Sequence, residues 1–257
     1  EDKDVIHVDG TVDPIRDIEV ITLELILADM AQIEKRLEKT RSKRNTGIPP
    51  EEVSALEKVN EMLEKSLPAR TAQLTVAESE CIKLLSLLTM KPVIYAANVN
   101  DMDLGTGNDM SKSVFELAEK EGNKCVLVSA QVESELNGLS AEERKEFLAD
   151  LGVSEENCGL QKLVSTAYDT LGLQTYYTSG PKETRAWTIL KGMTAPQAAG
   201  VIHTDFEKGF IRSETISFDD LIKCGSEKIA KEKGLLRSEG RDYVMKEGDV
   251  CLFRFNV

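Results

Sequence analysis

Residues 185–214 read RAWTILKGMTAPQAAGVIHTDFEKGFIRSE. The alternation around Trp187 in residues 185–190 predicts a short strand, with the indole in the core or partly exposed. Residues 195–202 predict a helix, and Ile211 opens a second strand that runs to Ile216. Outward from this stretch, residues 174–178 and 250–255 predict further short strands, and residues 218–223 a second helix. Short strands of mixed order around helices are the pattern of an α+β domain beginning after Gly172.

The totals bound the rest. A chain of 257 residues holds about two domains. Residues 173–257 carry 13 basic and 12 acidic side chains, a net of +1. The whole chain has 32 basic and 45 acidic residues, so residues 1–172 carry 19 and 33, a net of −14. An acidic body repels phosphate backbones, so any RNA contact is expected in the near-neutral C-terminal part. Cys81, Cys125, Cys158, Cys224 and Cys251 show no CxxC spacing. They read as reduced thiols of a reducing compartment such as the cytoplasm, not as a disulfide framework or zinc site. No apolar run approaches the ~20 residues of a membrane span. The chain begins with Glu1 rather than Met, which leaves open a preceding leader and an organelle address.

Upstream, residues 5–8 predict a strand ended by Asp9–Gly10, and Pro14 opens a helix at its first turn. Leu23, Ile26, Met30, Ile33 and Leu37 follow spacings of 3, 4, 3 and 4, the seam of an amphipathic helix close to a heptad. The basic residues 41–44 and then Gly47 end it. Pro50–Glu51–Glu52 starts a second helix whose apolar face is Val53, Leu56, Val59 and Leu63, and Pro68 stops it. The pair is expected to form an antiparallel helical hairpin, with Glu34, Lys35, Glu38 and Lys39 on its solvated side. Thr75-x-x-Glu78 fits a capping box at the start of a third helix. Residues 92–97 (PVIYAA) form a continuous apolar run, as in a parallel strand buried on both faces. A helix over 113–121 and a strand over 125–128 complete a strand–helix–strand unit. Ser140-x-x-Glu143 caps a further helix, and residues 160–171 form another.

The stretch at 185–214, continuing through Leu221 and Gly225–Ser226 to CLFRFNV at 251–257, resembles the TGS domain of the YchF subfamily of Obg-like ATPases. HVDGTVDPIRDIEVITLEL (7–25) and KPVIYAANVND (91–101) resemble the same family, and together the matches cover most of the chain. The resemblance implies α/β plus α+β architecture. Residues 1–16 and 89–172 would be the C-terminal part of a P-loop G domain. Residues 17–88 would be an inserted helical hairpin or coiled coil, and residues 173–257 a β-grasp-like TGS domain. It also implies a nucleotide-dependent switch at the ribosome that hydrolyses ATP with Mg²⁺, with GTP open as a second substrate. The implied partners are the large ribosomal subunit or rRNA and tRNA, reached through the TGS domain, with no membrane and no DNA.

Asn98–Asp101 (NVND) follows the predicted strand, where open α/β sheets place their ligand crevice. In the resembled G domains an N-K-x-D motif reads the base there, and the YchF subfamily has N-x-x-E. Here Val99 replaces the Lys, and Asp101 stands where Glu is usual, leaving room that keeps guanine tolerance open. Ser129–Ala130 matches the Ser-Ala turn of the same fold. The resemblance therefore implies a base pocket of Asn98, Val99, Asp101, Ser129 and Ala130. A plain Asn/Asp turn at a strand end is the other reading of NVND. No GxxxxGK[ST] occurs, and Asp169-x-x-Gly172 is a chance DxxG match at a helix end. The sequence thus reads as a truncated piece of a larger enzyme. It has no catalytic residue or metal ligand of its own, no tightly bound cofactor, and no ATPase activity alone.

Arg185, Lys191, Lys208 and Arg212 flank Trp187 in sequence. They suit RNA phosphate contact, and equally ordinary solvation. His203 has a packing role or an RNA contact, and His7 reads as a structural hydrogen-bonding residue. Two other classes compete with the switch. One is a non-enzymatic RNA- or ribosome-binding adaptor. The other is an acidic coiled-coil interaction protein, which leaves the α/β signature unexplained.

Overall fold

A computed structural model describes residues 10–41, 48–154, 159–180 and 183–256. The predicted strand at 5–8, His7, Cys158 and the Gly47 helix stop lie outside these residues. The chain divides into two compact units, one ending at Leu163 and the other beginning at Val164.

In the first unit, α1 (Pro14–Arg41) and α2 (Pro50–Glu64) pack on each other. Ile26, Ile33 and Leu37 bury against Ala55, Leu56, Val59 and Leu63. The Arg36 Nε donates to Glu52 at 2.6 Å, which fixes the register. Leu23 departs from the expected seam and is 46% exposed. The register explains this. Ten residues back along α1 from Arg36 and ten forward along α2 from Glu52 bring Ile26 level with Met62, at 1.5 Å per residue in each helix. Leu23 lies beyond Glu64, where α2 has ended. Glu34, Lys35, Glu38 and Lys39 are exposed, as expected.

The α3 helix (Val76–Ile82) starts at the capping box, with the Glu78 N–H donating to Thr75 and the Thr75 N–H to Glu78. Next come β1 (Ile94–Asn98), α4 (Asp109–Glu121) and β2 (Lys124–Val128). The two strands are parallel, pairing Ile94 with Lys124 through Asn98 with Val128. The α4 helix begins four residues earlier than Ser113, because Asn108 and Ser111 cap it reciprocally. β1 is not buried on both faces. Among the described residues it pairs only with β2, and Ala96 is exposed. The unit continues with α5 (Ala130–Leu136), a helix that begins within the Ser129–Ala130 turn, then α6 (Ala141–Asp150), capped by Ser140 and Glu143. Helix α7 (Gly159–Thr170) runs through the Leu163–Val164 boundary.

The second unit is built on a five-stranded sheet. Its strands are β3 (Leu173–Ser179), β4 (Thr184–Leu190), β5 (Phe210–Ser217), β6 (Arg237–Glu239) and β7 (Asp249–Phe255). Their spatial order is β4-β3-β7-β5-β6. The β3–β7 pair is parallel and the other pairs are antiparallel. Helices α8 (Ala195–Ile202) and α9 (Thr204–Lys208) lie between β4 and β5 in sequence, and α10 (Phe218–Cys224) and α11 (Glu227–Glu232) follow β5. One sheet face buries Tyr176, Ile189, Cys251 and Phe253 against Ala195, Ala198 and Ala199 of α8. The other buries Ile216 and Val250 against Cys224 and Ala230. Asp249, buried, accepts from Tyr243 Oη at 2.8 Å and the Lys246 N–H at 2.9 Å. Burial and this bond push the Tyr243 hydroxyl up to about 12.

Candidate functional site

The parallel register of β1 and β2 brings their carboxyl ends together. At that end the Ala130 N–H donates to Asn98 Oδ1 at 3.0 Å, across 32 residues of sequence. The Val99 N–H donates to the Val128 carbonyl at 2.9 Å. Ser129 is buried and caps α5, its Oγ accepting the Val132 N–H at 3.4 Å. Ala130, the first residue of α5, is exposed. Asn98, Ser129 and Ala130 thus converge. Val99 is half-buried and packs on the cluster of Leu104, Val132 and Leu136, so its side chain anchors the loop. Asp101 is exposed, and its Oδ1 accepts the Met102 N–H at 2.9 Å. Beyond it the loop is tied locally. The Asp103 N–H donates to Asn100 Oδ1 at 3.0 Å, and Asn108 Nδ2 to Asp103 at 2.8 Å. At this strand end the Asn98 amide oxygen and the Ala130 N–H are bonded to each other, and the exposed Asp101 carboxylate lies in the loop that follows. Among the described residues no group of three or more His, Cys, Asp or Glu side chains is placed to hold a metal ion.

The four C-terminal cations do not share one surface. Alternation along β4 puts Arg185 on the face of Trp187 and Tyr176, the face covered by α8. Its guanidinium stands over the Trp187 ring, 4.2 Å from the centroid, and the indole Nε1 donates to Thr178 at 2.9 Å. Arg212 pairs across the ladder with Arg254, and Glu214 with Leu252, on the opposite face. β4 and β5 are three strand spacings apart, about 14 Å. Arg212 and Arg254 donate to the two oxygens of Glu214 at 3.1 and 3.0 Å, Arg254 foremost holding that carboxyl below its usual range. Arg254 escaped sequence reasoning because only the β5–β7 register places it beside Arg212. Lys191 pairs with Asp169 at 2.8 Å, which gives the chance DxxG a structural role. Lys208 ends α9, exposed. His203 is exposed too, and its Nδ1 accepts the Asp205 N–H at 3.2 Å as the cap of α9.

Comparison with known proteins adds to this geometry. Residues 173–256 match the family model YchF-GTPase_C, described as a protein of unknown function (DUF933). Over 260 residues the chain is 45% identical to the ribosome-binding ATPase YchF of Bacillus subtilis (strain 168), covering 100% of this chain and 70% of that protein. The chain belongs to the YchF family. The ribosome-binding ATPase YchF of Escherichia coli O157:H7 is 48% identical over 259 residues, with the same coverage of each chain. The YchF-family chain also superposes on the solved Schizosaccharomyces pombe YchF GTPase with a TM-score of 0.82 and 36% identity, covering 99% of this chain and 69% of that one. A GTP-binding protein of Pyrococcus horikoshii OT3 shares the fold at a TM-score of 0.58 and 21% identity, covering 96% of this chain and 74% of that one. The mixed α/β architecture of this YchF-family chain is therefore that of a solved family member.

Proposed function

We propose that this chain is part of a ribosome-associated ATPase that works as a nucleotide-dependent switch. The observation that carries the reading is 45% identity along the whole chain to a protein named as a ribosome-binding ATPase. The Asn98–Ala130 junction supplies the crevice for the base. Asp101 contributes the carboxylate that contacts the base edge, Ser129 and Val99 hold the two loops, and Ala130 presents the helix start. ATP is the first substrate and GTP the second. The phosphates and Mg²⁺ need ligands that these residues do not supply, since no GxxxxGK[ST] is present. By itself the chain holds nucleotide weakly and does not turn it over.

Residues 1–16 and 89–172 act as the partial G domain, and residues 17–88 as the inserted hairpin. Residues 173–257 act as the β-grasp-like TGS domain that meets rRNA, tRNA or the large subunit in the cytoplasm; Arg185, Lys191, Lys208 and Arg212 are the candidate contacts, and a single sheet face would use Arg185 or Arg212 but not both. The missing phosphate loop favours a second reading, a ribosome-binding adaptor without chemistry. Two assays on the purified chain test the proposal: ATP turnover and co-sedimentation with ribosomes. Ribosome binding without turnover is expected. Turnover abolished by Asp101→Ala would overturn the claim of inactivity, and failure to co-sediment would remove the ribosome assignment.

A further inference from the structure

We infer that Glu133 and Gly159 are positioning residues for the base-reading turn at Ser129–Ala130, an assignment that rests on the nucleotide reading above. The turn is held from one side by Asn98, which accepts the Ala130 N–H, and by the Val99 N–H bound to the Val128 carbonyl. It is held from the other side by the start of α7. Gly159, the first residue of that helix, lies buried against the end of β2. A Cβ at position 159 would stand 3.0 Å from Val128 Cα and 3.3 Å from Val128 Cβ, and 3.1 Å from a Glu133 carboxylate oxygen. Any larger residue therefore pushes on the backbone just before the turn.

Glu133 completes the hold. It sits in the first turn of α5, three residues after Ala130, and its carboxylate accepts the Leu160 N–H at 2.8 Å. That bond satisfies one of the open donors at the start of a 12-residue helix and places a negative charge at its positive end. The end of β2 and the first turn of α5 are thereby fixed between Asn98 and α7. Glu133 and Gly159 thereby fix the turn that the Ala130 N–H ties to Asn98, and with it the placement of the loop that carries Asp101.

The test uses the full chain labelled with ¹⁵N, as wild type, E133A, E133Q and G159A. Amide hydrogen exchange is read at Ala130 and, as the control for global stability, at Val126 in β2. ATP titration is read as shifts of Asn98, Asp101 and Ala130. In E133A and G159A the Ala130 amide should exchange about tenfold faster, the weight of one charge-assisted hydrogen bond, while Val126 keeps its rate. The ATP-induced shift at Ala130 should shrink in parallel. E133Q, whose amide oxygen still accepts the Leu160 N–H but carries no charge, should fall between wild type and E133A. Unchanged exchange at Ala130 in both E133A and G159A, or equal acceleration at Val126, would overturn the positioning role while intact ATP shifts left the nucleotide reading standing. Absence of any ATP shift in the wild type would sink the nucleotide reading itself, and the role with it.

Discussion

Asp29 in the middle of α1 accepts two hydrogen bonds from Thr89, 60 residues later, one from its N–H at 2.7 Å and one from its hydroxyl at 2.6 Å. The Leu88 N–H adds a third at 2.8 Å. Asp29 is 1% exposed, and Thr89 Oγ1 in turn accepts the Ala69 N–H at 2.9 Å. One buried carboxylate thus ties the helical pair to the turn that leads into β1.

Asp29→Ala should lower the unfolding free energy by about 3 kcal/mol, because it strands buried donors. Asp29→Asn keeps one acceptor and should cost less. Urea unfolding followed by circular dichroism measures both, and equal, negligible losses would mean the clip is not formed in solution.

Leu56→Ala, at a site with no exposure, should destabilise by about 2–5 kcal/mol. Leu23→Ala, on the part of α1 that α2 does not reach, should stay within about 0.5 kcal/mol. The same unfolding experiment separates the two, and similar losses at both sites would contradict the packing register.

Glu78 carries an acid-sensitive contribution. The Lys58 ammonium, then the Thr75 N–H and the Ser54 hydroxyl, hold its carboxyl at about 2 instead of 4.5. The folded value lies below the unfolded one, so the stabilisation is complete above about pH 4.5 and fades as pH falls toward 2. Glu78→Gln should flatten the stability profile in that window and leave its shape unchanged near neutrality. Parallel wild-type and variant curves between pH 4.5 and 2 would rule the contribution out.

Gly209 has no space for a side chain, since a Cβ would collide with the Asn256 carbonyl, while the Asn256 N–H donates to the Gly209 carbonyl at 2.9 Å. Its φ of −88° suits any residue, so the constraint is contact and not conformation. Gly209→Ala should cost about 1–3 kcal/mol and expose the Asn256 amide to exchange. Retained protection of that amide would show that the chain end shifts without loss.

Ribosome co-sedimentation should weaken with salt. For single-stranded contacts the log–log slope is about −0.7 per phosphate. Arg185→Ala and Arg212→Ala lie on opposite sheet faces, so only one is expected to reduce the slope by about one contact if a single face meets RNA. No change in slope for either would remove both from the interface.

Local signals carried much of the architecture. Thr75–Glu78 and Ser140–Glu143 cap helices because a side chain reaches a backbone N–H three residues away, which a sequence shows directly. The apolar runs at 92–97 and 125–128 and the short strands after Gly172 were likewise legible from period and punctuation. Pairing was not. β3 lies parallel to β7 through Tyr177 and Val250, and nothing within either segment names its neighbour. The Asn98–Ala130 bond, the Gly159 contact on Val128 and the Glu214 bridge between Arg212 and Arg254 all depend on segments far apart in the chain. The sequence by itself determined most of the segments that are helix or strand, though not α5, α9, α11 or β6, because capping and periodicity act over a few residues. Only the tertiary structure decided that Leu23 faces solvent, that Asp29 is buried, and that Arg185 and Arg212 sit on opposite faces, because burial and facing are set by contacts across the fold.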